Sequence, residues 1–142
     1  MAIAQAVCNS FKQQILEATH NFATGGNVFK LSLYTSAANL SASTTVYTST
    51  NEVANTGQYT AGGGALTGQQ TSLDTGVAIV DFADLSFTGV TLTAAGALIY
   101  NTSAANKAVC VLDFGGDKTA TAGTFTIVFP AFTSANAILR IS

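Results

Sequence analysis

From Gly26 onward, apolar and polar residues alternate in short runs, the period expected of half-buried β-strands. Phe29, Leu31 and Leu33 fall on one side of such a run, and Lys30, Ser32 and Tyr34 on the other. In Thr124–Phe129, Phe125, Ile127 and Phe129 oppose Thr124, Thr126 and Val128. Further strands are expected at 77–82, 97–100, 109–114 and 137–141, with weaker ones near Tyr59, 65–67 and 90–93. Gly115-Gly116-Asp117 lies between two of the clearest runs, where a tight hairpin turn is expected because glycine supplies the positive φ such turns need. Gly89, Gly96 and Gly123 punctuate the other runs. A single helical pattern precedes them. Ser10 and Gln13 have capping-box spacing, and Phe11, Ile15 and Ala18/Thr19 share one face, which predicts a helix from Phe11 to Asn21 ending before Gly25-Gly26. Many short strands after one helix predict an all-β fold, a jelly-roll-like β-sandwich with one short N-terminal helix. The expected organisation is an N-terminal arm over residues 1–10 and a single β-sandwich domain over 11–142.

The least regular stretch runs from Thr35 to Gln70 and contains Gly62-Gly63-Gly64. Long loops in compact domains are binding elements or mobile segments, and tyrosine gives large contact area at low entropic cost. Tyr47, Tyr59 and Gln58 are therefore candidate partner-binding residues, as are Ile3 and Val7 of the arm, which is too short to fold alone.

Charge sharpens this expectation. Asp, Glu, Lys and Arg make up 8% of the chain, seven acidic and five basic residues, against roughly 25% in an ordinary domain. A folded monomer of this mass exposes on the order of 6,800 Å², or roughly one charge per 570 Å². That is sparse beside the ~25–35% charged surface that keeps small domains apart. Much of the surface is expected to be covered by a second copy of the chain, as a homodimer, or by other proteins. The net charge is −2, and the five basic residues form no stripe that could neutralise phosphates, so no nucleic-acid partner is expected. No stretch approaches the ~20 apolar residues of a membrane span, and the first residues lack the basic region of a secretory signal. The expectation is a soluble protein without membrane contact, made without an export signal.

Chemistry-bearing residues are few. Cys8 and Cys110 are too few for a disulfide framework and are expected as free thiols. His20, the one histidine, is expected at the helix C-terminus, where the dipole favours it. Zinc needs three or four Cys/His ligands. Asp81 with Asp84, and Asp113 with Asp117, match no calcium loop, and the glycine run lacks the Lys-Ser/Thr of a phosphate loop. No catalytic residue, metal or cofactor is expected, and the chain reads as a non-enzyme.

Three stretches, taken in order, point to a family: Lys30-Leu-Ser-Leu-Tyr-Thr-Ser36, then Tyr47-Thr-Ser-Thr-Asn-Glu-Val53 leading to Tyr59-Thr-Ala-Gly-Gly63, then Asp113-Phe-Gly-Gly-Asp-Lys118 followed by Thr124-Phe-Thr-Ile-Val-Phe-Pro130. From about Phe11 onward the chain resembles the jelly-roll cement, or decoration, proteins of tailed-bacteriophage capsids. The resemblance implies a β-sandwich on the outer surface of a virion that dimerises, binds the major capsid protein and ties capsomers together. It carries over no catalytic residue and no interface motif. Two other readings stand beside it: a head–tail connector or tail component, and a carbohydrate-binding β-sandwich using Tyr34, Tyr47, Tyr59 and Tyr100.

Overall fold

Two antiparallel sheets and one short helix make up the fold in a computed structural model that describes residues 2–142; Met1, the first residue of the expected arm, lies outside the described residues. In chain order the elements are β1 (Ala6–Val7), α1 (Asn9–Leu16), β2 (Phe29–Tyr34), β3 (Gly64–Ala65), β4 (Gln70–Asp74), β5 (Val77–Asp81), β6 (Leu85–Asn101), a single 3-10 turn at Thr102–Ala104, β7 (Lys107–Ile127) and β8 (Leu139–Ile141). One sheet has the order β1-β7-β6-β2-β3 and the other β4-β5-β8. The fold is an all-β sandwich. Its strands divide five and three between the two sheets.

The alternation at 124–129 is realised as read: Phe125, Ile127 and Phe129 are buried, while Thr124, Thr126 and Val128 are exposed. The glycines do something different. Runs expected as separate strands fuse into β6 and β7, of 17 and 21 residues, which pair along their lengths as one hairpin. Gly115-Gly116 is not a hairpin turn. Ala94 pairs with Lys118 and Gly96 with Asp113, so Phe114–Asp117 bulge out of β7 opposite Ala95. Positive φ at Gly115 (76°) and Gly116 (143°) permits that excursion without ending the strand. Gly89, Gly96 and Gly123 likewise lie within long strands.

The second half of β6, from Ala94 to Asn101, is buried at every residue, and so is β2 apart from Lys30. The half-buried reading of β2 is therefore corrected: both faces of this part of the sheet are covered. Phe22 and Phe29 stack at 4.3 Å on one side, with Phe82 edge-on to both. The segment between β2 and β3 contributes to the other cover.

The helix is shorter than expected. It begins after Cys8, with no side-chain cap, and Ser10 Oγ is buried without a partner, so the expected capping box is absent. It stops at Leu16 because Ala18 takes a left-handed φ of 60°. Thr19 N–H then bonds the Gln14 carbonyl and Ala18 N–H the Ile15 carbonyl, a Schellman closure that ordinarily uses glycine. The arm is tied down within the monomer. Ala4 N–H bonds Leu40 C=O, Leu40 N–H bonds Ala2 C=O, and Ala6–Val7 pair with Cys110–Val111. Cys8 and Cys110 are free and buried, and burial pushes the Cys8 thiol up to about 11.

His20 is not a dipole cap, since the helix has ended four residues earlier. It is 95% buried: its Nε2–H faces Gln14 Oε1 at 2.8 Å and its Nδ1 accepts from Asn101 Nδ2 at 3.0 Å. Asn101 also donates to Asn27 Oδ1 and accepts from Ser103 N–H, so the small network is fully paired with a neutral ring. Burial, with the Lys107 charge adding to it, lowers the His20 pKa to about 4. Because that value lies below the ordinary 6.5, stability is complete above pH 6.5 and falls as pH drops toward 4, by roughly 3 kcal/mol from this group. In a proton NMR titration the single imidazole is expected to stay neutral through pH 6.5 while the fold persists. A ring that titrates near 6.5 in the folded protein contradicts this placement.

Candidate interaction surfaces

The irregular 35–63 segment is laid against the sheet by the four tyrosines of the chain and one carboxylate. Glu52 accepts hydrogen bonds from the Tyr47 hydroxyl (2.5 Å, Oε1), the Tyr59 hydroxyl (2.6 Å, Oε2) and Gly62 N–H (2.6 Å, Oε2). Tyr100 donates to the Gly62 carbonyl at 2.5 Å, and its ring stacks on Tyr47 at 4.8 Å. Tyr34 donates to the Thr48 carbonyl and accepts from Ser32 Oγ. The outer edge of β2 is closed at Leu33, whose N–H bonds the Tyr59 hydroxyl and whose C=O bonds Val53 N–H. Gly63 packs so tightly on β2 that a Cβ there would sit 1.8 Å from the Leu31 carbonyl oxygen.

This arrangement reassigns the residues proposed from sequence. Tyr59 is fully buried and edge-on to Phe87, so it is a core residue and not a contact residue on the surface. Tyr47 is half-buried, with ring and hydroxyl both engaged inside the monomer. Gln58 is exposed, but its side-chain oxygen accepts from Thr88 N–H and its own N–H bonds the Thr88 carbonyl, which covers the outer edge of β6 at a bulge. Ile3 lies beside Leu40 and against Gly96, while Val7 lines a groove beside α1. The five residues do not share one surface. Tyr47 and Tyr59 meet at Glu52, Gln58 is on β6, and Ile3 and Val7 lie on the β7 side.

The exposed apolar surface lies beside α1, and of these five residues Val7 alone lines it. A groove of about 650 Å³ separates α1 from one face of β4-β5-β8, with walls of Phe11, Ile15, Phe22, Val80 and Leu139. Leu16 and Ile141 stand at its mouth, 88% and 57% exposed. Ile141 pairs with Ala78 and Ala78 with Leu73, which is 72% exposed, so an apolar row crosses all three strands. Lys12 and Arg140 lie at the rim, and among the described residues no carboxylate lines the groove. Leu16 falls beside the Phe11/Ile15 stripe, and that off-stripe leucine was the available sequence signal.

Carboxylates serve the backbone. Asp84 accepts from Phe129 N–H, Asp74 from Ser134 N–H and Asp113 from Gly115 N–H. Among the described residues, no three His, Cys, Asp or Glu side chains converge as a metal site, and no helix is long and apolar enough to cross a membrane. No protein-family model, no curated protein and no solved structure matches this chain.

The tyrosine cluster predicts behaviour in alkali. Burial, helped by the Glu52 charge, raises Tyr34 and Tyr100 to about 12; burial and the bond to Glu52 raise Tyr47 and Tyr59 further. These folded-state values exceed the unfolded value near 10, so stability is whole below pH 10 and is lost as pH climbs toward and past 12. Tyrosinate absorbance is expected to emerge late and together with loss of the fold. A smooth titration centred near pH 10 in folded protein rules the cluster out.

Proposed function

We propose that this chain is a non-enzymatic structural protein of a tailed-bacteriophage particle, a cement protein that binds the outer capsid surface, contacts the major capsid protein and ties capsomers together. The observation that carries the reading is an open apolar surface, Leu16–Ile141–Leu73 with the groove beneath it, on a chain with so few charges. Surfaces of this kind belong to lasting protein contacts, which are more apolar than transient ones. The ordered resemblance along the chain supplies the identity of the partner. Its motifs fall on β2, on the Tyr–Glu52 cluster and on β7, so they describe a scaffold, and the step from scaffold to role is one of analogy. A modest affinity at each site is multiplied over many sites on a shell. The carbohydrate reading loses its platform, since none of the four tyrosines is exposed.

The test uses undecorated shells of the phage that encodes the chain. Wild type is expected to cosediment in many copies per shell. The Leu16→Glu, Ile141→Glu pair, at exposed positions where substitution costs little stability, is expected to fold normally and bind at least tenfold more weakly. A few copies at a single vertex assign the chain to the head–tail connector instead. Folded wild type that leaves shells bare contradicts the proposal.

A further inference from the structure

The long strand β7 is flanked unequally. On its outer side β1 covers only Cys110 and Val111, and the Gln5 side chain reaches Asp113 N–H. Beyond Phe114, among the described residues, β7 has β6 on one side and no strand on the other, and Thr119–Ile127 make no backbone hydrogen bond to any further segment. A bulge with Ala122 at φ 44° limits this open edge at one end, and Pro130 limits it at the other. Between them Thr124–Phe129 contains no charge and no proline, the residues with which proteins ordinarily blunt such an edge. A groove of about 530 Å³ runs alongside, lined by every residue from Phe125 to Pro130 and faced by Leu112, Phe114 and Ile138. Phe114 and Phe125, 6.1 Å apart, bring the two limbs of β7 together beside it.

We propose that the Thr124–Phe129 edge accepts a strand from another protein, an extended uncharged segment with apolar residues at alternate positions. The main chain would complete the ladder, and the alternate side chains would fill the groove. Charge matching favours a neutral strand, because the nearest lining charges, Asp113 and Lys118, oppose each other in sign. A second copy's β7 is a poor occupant, since its own Phe125 and Ile127 are already buried in its core and would leave the groove empty. Six residues of strand span about 20 Å and bury less than the ~800 Å² per partner of a standard interface, so one such contact is weak and suits a particle that repeats it. The donor's identity as the shell protein rests on the function proposed above. Together with the α1 groove, this edge would give the chain the two separate contacts that bridging two capsomers requires.

Amide hydrogen exchange tests this on the whole chain, free and on undecorated shells. The Thr124, Thr126 and Val128 amides are expected to exchange at least tenfold more slowly on shells, since Phe129 N–H, and with it by alternation Phe125 and Ile127 N–H, already faces β6. Val128→Lys, at a position 71% exposed in the free chain, is expected to keep the melting temperature and weaken shell binding at least tenfold. Shell binding that leaves these amides unchanged overturns the strand proposal and leaves the cement reading standing. If the chain does not bind shells, the cement reading fails and a synthetic Lys-Thr-Val-Thr-Val-Thr-Val-Lys peptide decides the edge. Protection or NMR shifts confined to residues 124–129 at millimolar peptide support it, and none overturns it. Protection of the same amides in a shell-free dimer overturns it in favour of a second copy.

Discussion

The Glu52 carboxylate is the point on which the rest of the molecule depends. It gathers two tyrosine hydroxyls and a backbone N–H, and Tyr100 reaches the same loop through the Gly62 carbonyl. Without that knot, a segment with few regular hydrogen bonds of its own would have to cover β2 and the second half of β6 by apolar contact alone. Charge-assisted hydrogen bonds are about twice as strong as neutral ones, and a buried group left without a partner costs about 1–3 kcal/mol. A polar knot under a loop is therefore a stronger fastening than the loop's composition suggests.

Its consequence is a division of labour over the chain. Aromatic residues are spent on the interior: the tyrosines fix one cover, and Phe22, Phe29 and Phe82 fill the other side. The large apolar residues left exposed are aliphatic: Leu16, Leu73 and Ile141 lie beside α1 or on the sheet facing it and Val128 at the end of β7, with Val28 and Val46 apart from both. The resemblance motifs map mostly onto the first group, so what they can share with other proteins is a way of building the sandwich. The proposed partner contacts fall to the second group, where the α1 groove carries no such motif and the end of β7 carries the last of them, Thr124–Pro130. The sparse charge agrees with the proposed role, since a surface that a partner covers has little use for ions.

Sequence pattern revealed the parts of the fold that alternate cleanly and hid the parts whose meaning is set by distant partners. Phe125, Ile127 and Phe129 were readable because their strand has one dry face and one wet one. β2 was misread as half-buried because its polar-looking face, Lys30, Ser32 and Tyr34, is covered by a loop with no periodic signature. Gly115-Gly116 suits a hairpin turn and a wide bulge equally well, and only the pairing of Ala94 with Lys118 chooses between them. Ala18 gave no warning of the helix stop, because an alanine at positive φ is held by the backbone bonds around it. Tyr47 and Tyr59 read as partner contacts, whereas both hydroxyls turn inward to Glu52, which from sequence alone is an ordinary loop acid.

Replacing Glu52 with Gln keeps the shape of the side chain and removes one of the acceptors that hold the knot. Native-state hydrogen exchange then separates a local clamp from general stability. The amides of Leu33, Val53 and Gly62 report the clamp, since they bond Tyr59, Leu33 and Glu52 respectively. In Glu52→Gln they are expected to exchange at least tenfold faster, while the β6–β7 ladder around Phe87 and Phe125 keeps its protection. Unchanged exchange at these three amides, or equal acceleration over the whole sheet, would contradict the claim that this carboxylate holds the cover in place.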